Sequence, residues 1–269
     1  MEPPQYLAKK NPHPRDESIT FDEGPHIYTI DGESDYMSVT TWNHSHFAHF
    51  NADKIIDKMM MGRKWGPAHK YWGMTKEEIK KMWEENGKKA STAGTKMHYD
   101  IECYYNDMDI EVEEDCIEWK YFEEFEKEIG GSKEPYRTEW MIWDKELKFA
   151  GSIDMTYINK DGTIDIYDWK RSVGIKMDNR WQSALTACIK HLPDCNYYHY
   201  CLQLNTYKAL LEKNYGVKVK DMYLVCLHPN NENKTYQRIK VIDLQEEVMN
   251  LFELRKKMLN KELKNEITD

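Results

Sequence analysis

The stretch KFAGSIDMTYINKDGTIDIYDWKRS, Lys148 to Ser172, holds two β-rich runs joined by one short turn, and it constrains the fold more than any other segment. In NKDG the glycine stands where a three-residue hairpin loop needs a left-handed residue, so Lys160, Asp161 and Gly162 form the loop and Asn159 faces Thr163. That register places Asp154 directly opposite Asp168, with Cβ atoms roughly 5 Å apart on one face, and Lys170 shares the face two residues on. Carboxylates this close repel one another unless something positive lies between them. A divalent cation with oxygen ligands meets that need, because Mg²⁺ is commonly held by one or two carboxylates together with phosphate oxygens. A surface hairpin of solvated charges, balanced locally by Lys170, is the other reading of the same three residues.

The flanking sequence supplies the rest of the architecture. SITFDEGPHIYTIDGESDYMSVT alternates short β-rich runs with Gly and Asp turns and predicts an N-terminal hairpin. NADKIIDKMMMG predicts a helix opening at Asn51, TKEEIKKMW carries a capping box at Thr75 and Glu78, and STAGTKMHYDIECYYN continues as helix. EEDCIEWKYFEEFEKEIGG sets Ile117, Tyr121, Phe125 and Ile129 on one helical face. YRTEWMIWD is a strand beside the hairpin, helices are expected over 178–190 and 196–213, and KDMYLVCLHP and TYQRIKVI form a further strand pair. Val248, Leu251, Phe252, Arg255 and Leu259 give the last helix its inner stripe. Helices flanking a central mixed sheet make an α/β or α+β fold. With 269 residues, no repeat and no long linker, one domain is expected: 1–90 as hairpin and helical elaboration, 91–242 as core, 243–269 as C-terminal helix.

Composition narrows the setting. There is no apolar run of about 18 residues, and the start, MEPPQYLAKKNPHPRDES, lacks the apolar segment of a signal peptide. An intracellular protein, of cytoplasm or nucleus and without a membrane partner, is the expectation. The cysteines at 103, 116, 188, 195, 201 and 226 lie within predicted elements, which favours reduced, packed thiols. A net charge of −9 speaks against a nucleic-acid partner for the molecule as a whole. Much of the acid, however, is in EVEEDCIEWKYFEEFEKE and the last helix, whereas Lys88, Lys89, Lys96, Lys170, Arg171 and Lys176 surround the stretches with candidate chemistry. A basic groove on an acidic body and a scatter of solvated lysines both fit that distribution.

Two helical pairs complete the pattern. His98 and Glu102 are spaced i, i+4 in AGTKMHYDIE, and Gln203 and Tyr207 have the same spacing in YHYCLQLNTYKALLE. Each pair alone is unremarkable. Their order along the chain is informative: G-x-x-x-H-x-x-x-E (Gly94, His98, Glu102), G-x-x-D (Gly151, Asp154), D-x-K (Asp168, Lys170) and Q-x-x-x-Y (Gln203, Tyr207). This series resembles the RecB-type branch of the PD-(D/E)XK nuclease superfamily over about residues 90 to 210. SVTTWNHSHFAHFNADKII resembles the N-terminal segment of related nucleases, among them those of large DNA viruses and, more distantly, the mitochondrial genome maintenance exonuclease.

The resemblance implies a restriction-endonuclease-like core and a metal-dependent nuclease that hydrolyses phosphodiester bonds of DNA in replication, recombination or repair, as an exonuclease or a structure-selective enzyme. Asp154 and Asp168 match its acidic metal-binding pair, His98 an additional metal ligand, and the backbone carbonyl of Trp169 another. Lys170 matches the catalytic lysine, Gln203 and Tyr207 the helix bordering the site, and Glu139 the glutamate that often precedes G-x-x-D; Glu102 is an accessory candidate. The expected cofactor is Mg²⁺ or Mn²⁺. Lys88, Lys89, Lys96, Arg171 and Lys176 are the candidate nucleic-acid contacts.

The chain departs from some members. Only Cys226 follows Tyr207, so the cysteine triplet of an iron–sulfur cluster is missing and none is expected. The 32 residues between Lys170 and Gln203 are long for this connection and suit either a substrate guide or extra packing. His44, His46 and His49 lack zinc-site spacing. Trp181, Tyr197, Tyr198 and Tyr200 are candidates for stacking on bases. A catalytically idle nucleic-acid-binding or assembly protein and an RNA endonuclease stand as alternatives.

Overall fold

The structure, a computed structural model, describes residues 4–266, with side chains through Lys261. The chain opens with a short helix α1 (Tyr6–Lys10) and an antiparallel hairpin of β1 (Ile19–Asp22) and β2 (Ile27–Ile30), followed by β3 (Met37–Ser38), α2 (Val39–His44) and α3 (Ala52–Met60). Then come α4 (Lys76–Tyr105), α5 (Ile117–Glu128), and three strands, β4 (Glu134–Asp144), β5 (Phe149–Ile158) and β6 (Ile164–Lys170). After α6 (Asn196–Asn214), β7 (Val219–Cys226), β8 (Gln237–Lys240) and α7 (Gln245–Glu266) complete the fold.

Local signals explain most of these elements. The capping box at α4 forms as read: Glu78 N donates to Thr75 Oγ1 at 3.2 Å and Thr75 N to Glu78 Oε2 at 2.7 Å, satisfying two donors that a helix start leaves orphaned. α4 is one helix of 30 residues, so the division anticipated between residues 90 and 91 falls inside it. In α5 the buried stripe is Tyr121, Phe122 and Phe125, while Ile117 at the first turn is exposed.

The sheet is mixed. β4, β5 and β6 run antiparallel in order, β7 joins β6 in parallel and β8 closes the far edge in antiparallel. One face packs Trp140, Ile142 and Ile166 against Leu202 and Leu210 of α6 and Val248 and Leu251 of α7. The other packs Met155, Tyr157, Tyr167 and Trp169 against Met97 and Ile101 of α4 and Phe122 and Phe125 of α5. This is the expected α+β arrangement of a central mixed sheet between helices. Among the described residues no helix is long and apolar enough to cross a membrane.

The helix expected over 178–190 does not form. Only Ala187–Ile189 makes a single 3-10 turn. The Asn179 side chain takes the N–H groups of Trp181 and Gln182 at 3.1 and 3.2 Å, and Leu185 N donates to His46 O at 2.7 Å, so side-chain and tertiary acceptors replace a helical ladder. Ala184, Ile189 and Leu192 anchor the loop to the core.

Candidate metal and phosphate site

The NKDG turn behaves as its sequence predicts. Gly162 adopts φ +79°, Gly162 N donates to Asn159 O at 2.9 Å, and Asn159 N donates to Thr163 O at 2.8 Å. The register then runs through Ile158↔Ile164 and Tyr157↔Asp165 to Met155↔Tyr167, where pairing stops one step short of Asp154 and Asp168. β3 holds the same edge of β5 only at Phe149 and Ala150. Gly151 to Asp154 therefore face a fork in the sheet, with no strand beside them on that edge. Asp154 fills it by accepting the backbone N–H of Trp169 at Oδ2, 2.9 Å away.

The other edge of Asp154 is irregular too. β4 pairs Thr138↔Met155 and Trp140↔Ile153, and between these pairs Glu139 and Asp154 drop out of the ladder. Glu139 has φ +39°, a left-handed conformation that costs a non-glycine residue of order 1–3 kcal/mol. The side-chain alternation breaks at this point: Ile153 packs on the α6 side and Met155 on the α4 side. A kinked pair of strands thus delivers two carboxylates to the place where the sheet splits.

Into that place α4 inserts His98. Its Nε2 lies 2.9 Å from Trp169 O; a carbonyl only accepts, so Nε2 carries the proton. Nδ1 faces Asp154 Oδ2 at 3.6 Å and Glu139 Oε1 at 3.7 Å. Among the described residues, His98, Glu139 and Asp154 are the group whose ligand atoms converge within 4.8 Å. Two cis ligands of an octahedral ion at about 2.1 Å stand about 3 Å apart, so the trio is slightly wide for one cation and needs only a small contraction. A histidine fixed by a backbone carbonyl at one nitrogen, with the other aimed at carboxylates, has the arrangement typical of metal-ligating histidines.

Asp168 and Lys170 form a second unit beside this trio. Lys170 Nζ lies 2.5 Å from Asp168 Oδ2, and Asp168 is 2% exposed. Asp168 therefore spends its charge on Lys170 and is not one of the converging three. The Trp169 carbonyl, expected as a ligand, is taken by His98. Burial opposes the Lys170 charge, but Asp168 and Asp154 more than offset it and hold the ammonium well above the usual lysine range. Tyr200 supplies a ring face 4.5 Å from Lys170 Nζ. Its place beside Lys170 was not read from sequence; the spacing 200, 203, 207 along α6 is the signal that identifies it.

Gln203 and Tyr207 are both buried, and Gln203 Nε2 donates to the Tyr207 hydroxyl at 3.3 Å. Tyr207 lies flat enough on β5 that a Cβ at Gly151 would stand 2.8 Å from its Cε1 and 3.1 Å from its hydroxyl oxygen. That contact is the physical link between the G-x-x-D and Q-x-x-x-Y elements. Gly94 has no such reason: an added Cβ there meets nothing within 4 Å. Gly151→Ala is therefore expected to destabilise the fold by about 1–3 kcal/mol through overpacking, and Gly151→Ala/Tyr207→Ala to lose less than the sum of the two single variants, as read by urea unfolding. Equal stability of Gly151→Ala and wild type would contradict the contact.

The charges are strongly coupled. Burial, and then Asp168, push Asp154 up to about 7. Burial, and then Glu139, raise Glu102 to about 8. For His98 burial works against the charged form, yet Asp154 and Glu139 prevail and raise it to about 9. For the carboxyls, the folded state resists ionisation that the unfolded chain completes near its ordinary value, so stability falls as pH rises from about 4 towards 8. The His98 contribution is whole below about 6.5 and is lost as pH rises through about 9, the same direction. In EDTA the unfolding midpoint is expected to fall between pH 5 and 9, with Glu102→Gln flattening the slope; a midpoint rising over this range in wild type would contradict the coupling.

The predicted basic contacts divide. Lys96 is bound to Asp100 at 2.8 Å and Arg171 Nε to Glu118 Oε1 at 2.7 Å, so both are committed to carboxylates of the body. Lys88, Lys89 and Lys176 are exposed. Of the aromatic candidates Tyr197 is buried in the core and cannot stack on a base, whereas Trp181 is 92% exposed. His46 donates or accepts at Thr186 Oγ1, 2.8 Å away, and forms no cluster with His44 and His49 that meets a metal's needs. All six cysteines are free; Cys103, Cys195, Cys201 and Cys226 are buried, while Cys188 is exposed rather than packed. No family model matches the chain, and no curated protein matches it significantly.

Proposed function

We propose that this chain is a metal-dependent nuclease that hydrolyses phosphodiester bonds of DNA, a member of the PD-(D/E)XK superfamily of RecB type. The observation that carries the reading is the convergence of His98, Glu139 and Asp154 at the sheet fork, with the Asp168–Lys170 ion pair beside it. The residues suit a hard cation: two carboxylates, and a histidine whose Nε2 proton is committed to Trp169 O, leaving Nδ1 as the donor atom. When bound, Mg²⁺ or Mn²⁺ lowers the pKa of a bound water and withdraws charge from phosphate oxygens.

The chain's own groups divide the remaining work. His98 loses its Nδ1 proton when that nitrogen ligates, so loading strengthens as pH rises. Lys170, kept charged by Asp168, offers a fixed ammonium for the negative charge that builds on a phosphate in the transition state. Tyr207 and Gln203 hold α6 against Gly151 and so set the distance between Tyr200, Lys170 and the fork. The test is incubation with Mg²⁺ or Mn²⁺ and end-labelled single-stranded, double-stranded and circular DNA beside matched RNA. Metal-dependent cleavage of DNA is expected, with Mn²⁺ at least as effective as Mg²⁺ because one ligand is nitrogen. Intact binding without cleavage of any substrate would favour the idle-protein alternative, and cleavage of RNA alone would reassign the substrate.

A further inference from the structure

The sequence between Lys58 and Lys76 contains five cations and no acid, against 33 cations and 47 acids in the rest of the chain. Lys58, Arg63, Lys64 and Lys70 are exposed, and none of them takes part in an ion pair among the described residues.

Aromatic side chains sit among these charges. Trp72 is 48% exposed and packs its ring 5.7 Å from that of Trp65, while Lys70 Nζ lies 5.1 Å over Tyr71. The region is not built for the core. Glu84 to Thr92 are exposed at every position, which on a helix means exposed all round, so α4 crosses open solvent between this end and the body. The geometry of the far end is fixed by Lys76 on Asp57 at 2.7 Å and Lys80 on Asp53 at 3.2 Å, which clamp α3 beside the first turns of α4.

α4 links this end to the site. From Lys76 to His98 the helix advances about 33 Å at about 1.5 Å per residue, and Lys88 and Lys89 lie on the way. We propose that the 58–76 arm binds a single-stranded polynucleotide, with the four free cations on successive phosphates and Trp72 stacking on a base, about five to ten nucleotides from the strand's position at His98, according to how far the strand is extended. Charge complementarity selects a polyanion. The interleaved half-exposed tryptophan selects unpaired bases over a duplex, whose faces are already stacked. The placement of the strand's other end at His98 rests on the nuclease reading above; binding to the arm does not.

The test separates the two. Dissociation constants are measured in EDTA at several salt concentrations for a strand of about 25 nucleotides and one of about 5, as DNA and as RNA, and for a blunt duplex. The variants are Lys58→Ala/Arg63→Ala/Lys64→Ala/Lys70→Ala, Trp72→Ala and Trp72→Phe, with thermal melts to check folding. The quadruple variant is expected to weaken the long strand at least 10-fold and to lower its salt slope by about 3, since each single-strand phosphate contact contributes about 0.7. Cleavage of the short strand in Mn²⁺, if the nuclease reading holds, stays at the wild-type rate, because the short strand cannot span from the site to the arm. Trp72→Ala weakens the long strand and Trp72→Phe restores it. DNA and RNA responding alike support a backbone-and-stacking mode; a response from one only assigns the sugar and still supports the arm. An unchanged affinity or salt slope for the long strand, a larger loss for the duplex, or no wild-type binding would overturn the proposal, whatever the outcome of the cleavage assay.

Discussion

Asp154→Asn is expected to lower cleavage by about 10³-fold or more while leaving nucleic-acid binding in EDTA as strong as, or stronger than, that of wild type. Asparagine keeps the shape of the side chain, and its amide oxygen can still accept the Trp169 N–H, so the fork stays closed. What is lost is the charge. Asp154 faces His98 Nδ1 and stands in the field of Asp168, and burial already lifts it to about 7. Neutralising it removes the carboxylate that a cation needs most, and it also removes repulsion towards an incoming phosphate. The paired measurement is cleavage rate in Mn²⁺ and dissociation constant in EDTA at one salt concentration. Near-wild-type cleavage would sink the nuclease assignment.

Lys170→Ala is expected to separate from that pattern. It too should lose cleavage, by about 10²–10³-fold, the size of effect seen when one fixed donor to a developing negative charge is removed. Binding in EDTA should weaken slightly instead of improving, because a positive charge has gone. A second consequence follows from the ion pair. Asp168 is 2% exposed and its Oδ2 lies 2.5 Å from Lys170 Nζ, so deleting the ammonium leaves a buried carboxylate uncompensated. Lys170→Ala should therefore be measurably less stable than wild type at pH 8. Stability unchanged at pH 8 would contradict the Asp168–Lys170 pairing. Stronger binding in EDTA would argue against a phosphate beside Lys170.

The parts of this arrangement that were legible in the sequence are those that depend on near neighbours. Gly162 in NKDG fixes a turn, the turn fixes the register, and the register brings Asp154 up to Asp168 without reference to the rest of the chain. The capping box at Thr75 and the inner stripe of α7 are equally local. The switch of faces at Asp154 was not legible, because it depends on Glu139, 15 positions earlier, adopting φ +39° in a neighbouring strand. For Asp168 the sequence left two readings open, a cation shared with Asp154 and local balance by Lys170, and did not decide between them. Symmetry across the hairpin suggests a carboxylate pair sharing one cation, whereas Lys170, two residues along the same strand, reaches back to Asp168 first. Arg171 looked free in sequence and is held by Glu118 on α5, a contact only the tertiary fold creates. The 178–190 segment has helical composition, but the Asn179 side chain and His46 O supply acceptors that outcompete a helix.

Calorimetric titration of Mn²⁺ into the metal-free protein at pH 8, for wild type, Asp154→Asn and His98→Ala, addresses the site without reference to any substrate. The trio at the fork predicts saturable binding to wild type with release of about one proton at pH 8, since the Nδ1 of His98, raised to about 9, must give up its proton to ligate. Both variants should bind at least about 10-fold more weakly. Saturable binding unchanged in both variants, or no saturable binding by wild type, would contradict a metal centre built from His98, Glu139 and Asp154.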